Sequence, residues 1–157
     1  LNDRYFDLAI VANFAVRSDS DETAYLGDYF GRSPSDDELA RFCLMRQVLH
    51  MLSAAVFLLL GSAGKAIRQD EALPSFGGFH ERIWAGEIDL ADNAMKVLYG
   101  RVHWQQLVRN LRKPRFEQAL RIVEDRSART AGVSCLMRFS ATCFWILRKS
   151  ISRPCSA

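Results

Sequence analysis

Three histidines, His50, His80 and His103, are the side chains best suited to proton transfer near neutral pH, and Ser53 stands three residues after His50. A nucleophile triad would need a GxSxG turn or its equivalent, and none occurs; Ser53 instead lies in an apolar segment, as packing or a polar pocket wall. Phosphoryl transfer needs amides or a lysine around phosphates, a carboxylate base and acidic or amide metal ligands. No GxxxxGK[ST] is present, and the glycines at Gly61 and Gly64 precede Lys65 within an apolar run. His50, His80 and His103 are followed two residues later by Leu52, Arg82 and Gln105, so none opens an HxD loop. His80 and Glu81 are adjacent, no HExxH occurs, and Cys43, Cys135, Cys143 and Cys155 form no CxxC pair. The expectation is no catalytic residue and no metal site in this chain.

The elements that carry these residues are helical, because apolar positions recur three and four apart while Pro and Gly fall between segments. A first helix is predicted over Tyr5–Val16, with Phe6, Ala9, Ile10, Asn13 and Phe14 inward, and a second over Asp21–Phe30, with Ala24, Leu26, Tyr29 and Phe30 inward and Gly31 as its cap. Ser35 and Glu38 form a capping-box pair that opens the longest run, to Ser62. A short helix follows near Phe79–Ala85, then one from Asp89–Asn93 to about Arg112 and one from Pro114 to about Arg126. In the fifth, Ala94, Val97, Leu98, Val102, Leu107 and Leu111 form the stripe, with Tyr99, His103 and Trp104 interleaved.

The chain of 157 residues suits one domain with its own core. Its net charge of +3 is too small to draw it to nucleic acid, although nine acids fall in residues 1–38 and five bases with no acid in residues 127–157. Val48–Gly64 holds no formal charge, yet it is short for a membrane span and contains His50, Ser53 and two glycines, so a buried central helix is expected. No secretory signal is legible, which points to a cytoplasmic protein with reduced thiols. Residues 127–157 read as an atypical basic extension outside the domain, with a membrane-surface helix as the alternative.

Several segments carry a family resemblance. Leu1-Asn2-Asp3-Arg4-Tyr5-Phe6-Asp7-Leu8-Ala9 resembles the stretch just after the magnesium-binding Asp of choline kinases and aminoglycoside phosphotransferases. Tyr29-Phe30-Gly31 and Glu38–Leu49 are similar to that family's aromatic helix end and to the start of its long central helix. Phe79-His80-Glu81-Arg82, Ala91-Asp92-Asn93, Tyr99–His103 and Pro114–Leu120 look like its C-terminal helices, so the resemblance spans residues 1–126. It implies an all-α chain equivalent to the helical C-lobe of a protein-kinase-like fold, lacking the N-lobe and catalytic loop.

The resemblance further implies a parent that uses ATP and Mg to phosphorylate a hydroxyl of a small acceptor, an amino alcohol or similar. Asp7, with Asp3 and Asn2, would support the catalytic loop, and His50, Ser53, Phe57, Trp84 and Tyr99 would face the acceptor. Ser53 and Val56 stand where choline-specific members carry two tryptophans, which departs from the aromatic cage a quaternary ammonium needs. The chain opens at Leu1 and not at Met, so an upstream part is expected. A non-catalytic helical interaction module and a truncated, inactive gene product are the alternatives.

Overall fold

A computed structural model describes residues 3–63 and 72–129, with side chains through 126. Asn2, Lys65, Cys135, Cys143, Cys155 and the basic extension beyond residue 129 lie outside the described residues. The described chain is all-helical, with no strand: α1 (Arg4–Ala15), α2 (Asp19–Phe30), α3 (Asp36–Ser62), α4 (Phe76–Trp84), α5 (Asn93–Leu111) and α6 (Pro114–Arg129).

Local chemistry sets the helix ends. Ser18 and Asp21 satisfy each other's backbone amides in a capping box, so α2 begins two residues before the predicted Asp21. Ser35 and Glu38 do the same for α3, which runs to Ser62 as the sequence suggested. Ser75 caps α4 by accepting from the Gly78 N–H, moving its start from the predicted Phe79 to Phe76. Gly31 takes φ 66° at the end of α2, a left-handed conformation that a side chain would resist.

α3 is the spine. On one side Phe42 and Leu49 pack with Tyr5, Leu8, Ala9 and Ala12 of α1 and Leu26 of α2. On another, Ala40, Cys43 and Leu44 meet Leu107 and Leu111 of α5 and Phe116, Ala119 and Val123 of α6. A third cluster joins Phe79 of α4 and Ile88 to Tyr99 and Val102 of α5, with Phe57 of α3 against it. At Gly61 and Gly100 the backbones of α3 and α5 approach closely, since a Cβ on Gly100 would lie 2.9 Å from the Leu58 backbone nitrogen.

Three expectations about helix faces are corrected. On α1 the buried stripe is Tyr5, Leu8, Ala9, Ala12 and Asn13, while Ile10 and Phe14 point outward. On α2, Ala24 and Tyr29 are exposed and Glu22 is buried with Leu26. On α5, Tyr99 and His103 are buried and Ala94 is exposed. In each case several stripes were apolar enough, and the neighbouring helix selected among them.

The apolar half of α3 also departs from the buried helix expected of it. By length and composition α3 could cross a membrane, and only 28% of its most apolar window is buried. One flank packs on α5, while Leu52, Val56, Leu59 and Leu60 are exposed.

Candidate functional site

A cavity of about 320 Å³ opens where the end of α1, the starts of α2, α4 and α6, the middle of α3 and the end of α5 converge. Its size falls at the lower end of small-molecule sites. Asn13, Phe14, Arg46, Gln47, His50 and His80 line it, as do Asn110, Lys113 and Arg115.

Its charged wall is built around Glu22, which α2 presents one turn before Leu26 and which is 2% exposed. Arg46 Nη1 donates to Glu22 Oε2 at 2.8 Å, and Arg115 Nη2 donates to Oε1. Arg46 also donates through Nε to Asn13 Oδ1 at 2.9 Å and through Nη2 to the Val16 carbonyl at 3.3 Å, tying α3 to the end of α1. Arg115 Nη1 takes Asp19. Burial disfavours the Arg115 cation, but Glu22, Cys43 and Asp19 outweigh it and raise its pKa. Both carboxylates in the wall are thus held by arginines, which leaves neither placed as a free general base.

Gln47, Gln106 and Asn110 of the lining form a relay of amides. Gln106 Nε2 donates to Asn110 Oδ1 at 3.0 Å, Asn110 Nδ2 donates to Gln47 Oε1 at 2.9 Å, and Gln47 Nε2 donates to the Cys43 carbonyl at 2.9 Å.

At the inner end the imidazoles gather. His80 Nδ1 lies 3.0 Å from the Phe76 carbonyl, an acceptor only, so Nδ1 carries the proton and Nε2 accepts from the Tyr99 hydroxyl at 2.8 Å. His50 Nδ1 and His103 Nδ1 face each other at 3.1 Å. Burial lowers the pKa of all three: to about 3 for His103, helped by His80, and well below the usual histidine value for His50, where His103, Arg46 and His80 add to it. All three imidazoles are neutral at pH 7. Burial likewise raises the Tyr99 pKa, so that residue is a hydroxyl donor and not a phenolate.

Of the acceptor-facing residues anticipated from sequence, the structure brings His50 to the cavity. Ser53 is half-buried on α3 outside its lining. Phe57 packs on Tyr99 with ring centroids 4.6 Å apart, and Tyr99 is sealed within the third core cluster. Trp84 is exposed, with the Arg17 guanidinium 5.3 Å above its ring. Asp3 caps α1 by accepting from the Tyr5 N–H at 3.0 Å, and Asp7 lies exposed in the first turn. Glu22, Arg46, Arg115, Gln47 and Asn110 went unnoticed in the sequence. Their signal was a polar residue on an otherwise apolar stripe, as at Glu22 before Leu26 and Arg46 between Phe42 and His50.

Among the described residues no group of three His, Cys, Asp or Glu side chains is placed to hold a metal ion. No protein-family model matches the chain, and no match was found among curated proteins or solved structures.

Proposed function

We propose that this chain is the acceptor-binding helical part of an ATP-dependent small-molecule kinase of the choline kinase and aminoglycoside phosphotransferase kind. The observation that carries this reading is the position of the cavity beside an uncovered face of α1. Asp7, Ile10, Val11 and Phe14 are spaced to share one face of that helix, and all four are exposed, Val11 by 52%. Phe14 also lines the cavity. A catalytic loop resting on this face, with its backbone amides on Asp7, would put its base at the cavity mouth, next to the hydroxyl of a bound acceptor.

On this reading ATP and Mg bind to a preceding lobe of a longer cytoplasmic protein, and this chain binds, orients and shields the acceptor.

The test is to extend the chain through the codons upstream of Leu1 and assay Mg-dependent ATP consumption across a panel of small hydroxylated compounds. An HxDxxxxN loop in that extension, with turnover of at least one compound that falls in the Asp7→Asn and His50→Ala variants, is the expected result. Inactivity across the whole panel overturns the reading. A non-catalytic interaction module is the second reading, supported by exposed Leu52, Val56, Leu59 and Leu60 on α3. An extension without catalytic-loop codons would favour it.

A further inference from the structure

We infer that the cavity binds a small alcohol bearing an anionic oxygen group, a carboxylate or a phosphate, and not an amino alcohol. This rests on the reading of the cavity as an acceptor site, and it narrows the acceptor by what the walls leave available for bonding.

Four cationic residues, Arg17, Arg46, Lys113 and Arg115, are among the cavity's lining against two carboxylate residues, Asp19 and Glu22. An ammonium group entering here would need a carboxylate or aromatic faces. Both Glu22 oxygens are already capped by arginines, and Asp19 is paired with Arg115. Arg17 is answered by Glu81 at 2.7 Å, whereas the exposed Lys113 ammonium has no ion pair among the described residues. The local field therefore favours an anion.

The neutral groups point the same way. In the amide relay the oxygens of Gln47 and Asn110 each accept one bond and their nitrogens each donate one, so each of these two amides keeps one N–H group, and one lone pair, for a ligand. The spare N–H groups can meet an anion's oxygens. His50 adds another. If His103 carried its proton on Nε2, a buried N–H with no partner would result, because that nitrogen is enclosed and unbonded. An orphaned N–H is the rarer defect, so the proton sits on His103 Nδ1 and His50 Nδ1 accepts it. His50 then has its own proton on Nε2, as a donor for a ligand in the cavity that its ring lines. Surplus positive charge, the His50 N–H and the spare amide N–H groups fit the oxygens of a carboxylate or phosphate, with Phe14 and Phe76 as apolar lining beside them.

The test uses the whole 157-residue chain and titration calorimetry at low salt. The probes are D-glycerate and glycerol 3-phosphate as anionic alcohols, glycerol as the neutral control, and ethanolamine and choline as the cationic ones. Binding of D-glycerate, glycerol 3-phosphate or both, weakened by added salt and absent with the other three, is the expected result; the two anionic arms tell carboxylate from phosphate. Lys113→Gln should weaken the bound anion about threefold, as loss of one exposed charge contact would. Gly77 lines the cavity near the start of α4, where a built Cβ is 3.8 Å from Arg17 Nη1, so Gly77→Leu should fill the space without disturbing the core. That variant should unfold at or above the parent's temperature and bind the anion about tenfold more weakly or worse. Tighter binding of ethanolamine or choline, no binding of either anion to a chain that unfolds cooperatively, or unaltered binding in Gly77→Leu each overturns the inference. None of these outcomes decides the kinase reading, which stands or falls on ATP consumption by the extended protein.

Discussion

The Nδ1 atoms of His50 and His103 stand 3.1 Å apart across the seam between α3 and α5, in rings that are 1% and 3% exposed. Two imidazoles in this arrangement share one proton between the facing nitrogens, so the accepting ring must be neutral, and burial disfavours charge on either ring. A second proton would place a charge where burial disfavours it most and where His80 of α4, and for His50 also Arg46 of α3, add to the cost.

The pH dependence of stability follows from that. In the unfolded chain these histidines take up protons below about pH 6.5, whereas folded His103 resists until about pH 3. The stability is thus complete above pH 6.5 and drains away as the pH falls toward 3, because the unfolded state binds more protons throughout that window. Each such group contributes a slope of up to about 1.4 kcal/mol per pH unit. His103→Asn keeps a partner for His50 and removes one titrating group. Urea unfolding between pH 7 and 4 should show a shallower acid limb in the variant; parallel curves would contradict the neutral pair.

At Gly100 α5 packs against α3 with no space for a side chain. A methyl group there would stand 2.8 Å from Leu58 Cγ, 2.9 Å from the Leu58 nitrogen and 3.1 Å from the Ala54 carbonyl. Gly100→Ala gains helix propensity but forces two backbones apart, for a net loss of about 1–3 kcal/mol. Gly27→Ala is the matched control, since its new methyl meets only the Arg32 carbonyl at 3.7 Å, and it should gain about 0.5–1 kcal/mol. Chemical denaturation of the two variants side by side would expose a wrong helix register at once: Gly100→Ala would then be as stable as the parent.

Glu22 is clamped between Arg46, whose side chain is 19% exposed, and Arg115, at 33%. Glu22→Gln leaves two guanidinium groups facing each other without the carboxylate between them. Breaking a fully buried pair costs about 3–5 kcal/mol, and the partial exposure of Arg115 reduces that to about 2–3 kcal/mol here. A double-mutant cycle with Arg46→Met should give a coupling of about 1 kcal/mol or more. Additive losses would mean that the pair contributes packing alone.

Cys43 is buried between α3, α5 and α6, and burial, against the opposing pull of Arg115, pushes its thiol up to about 11. Iodoacetamide at pH 8 should leave it unmodified in the folded chain and label it fully in urea. Peptide mass spectrometry separates this site from Cys135, Cys143 and Cys155. Rapid labelling of Cys43 without denaturant would show that α6 does not stay docked.

The sequence by itself determined the six helices and most of their ends, because capping and helical hydrogen bonding depend on residues within about four positions of each other. Ser35 with Glu38, Gly31, and Pro114 at the first position of α6 each act where the sequence placed them. Only the tertiary structure decided which stripe of each helix is buried. Ile10, Phe14 and Tyr29 are apolar enough for the core, yet they lie outside while Tyr99 and His103 lie within it. The site belongs to the same category. Glu22 and Arg115 are 93 residues apart, and Gln47 and Asn110 are 63 apart, so no local pattern joins them. A buried charge is tolerable only when a partner arrives from another helix, and that partner exists only once α2, α3 and α6 have packed.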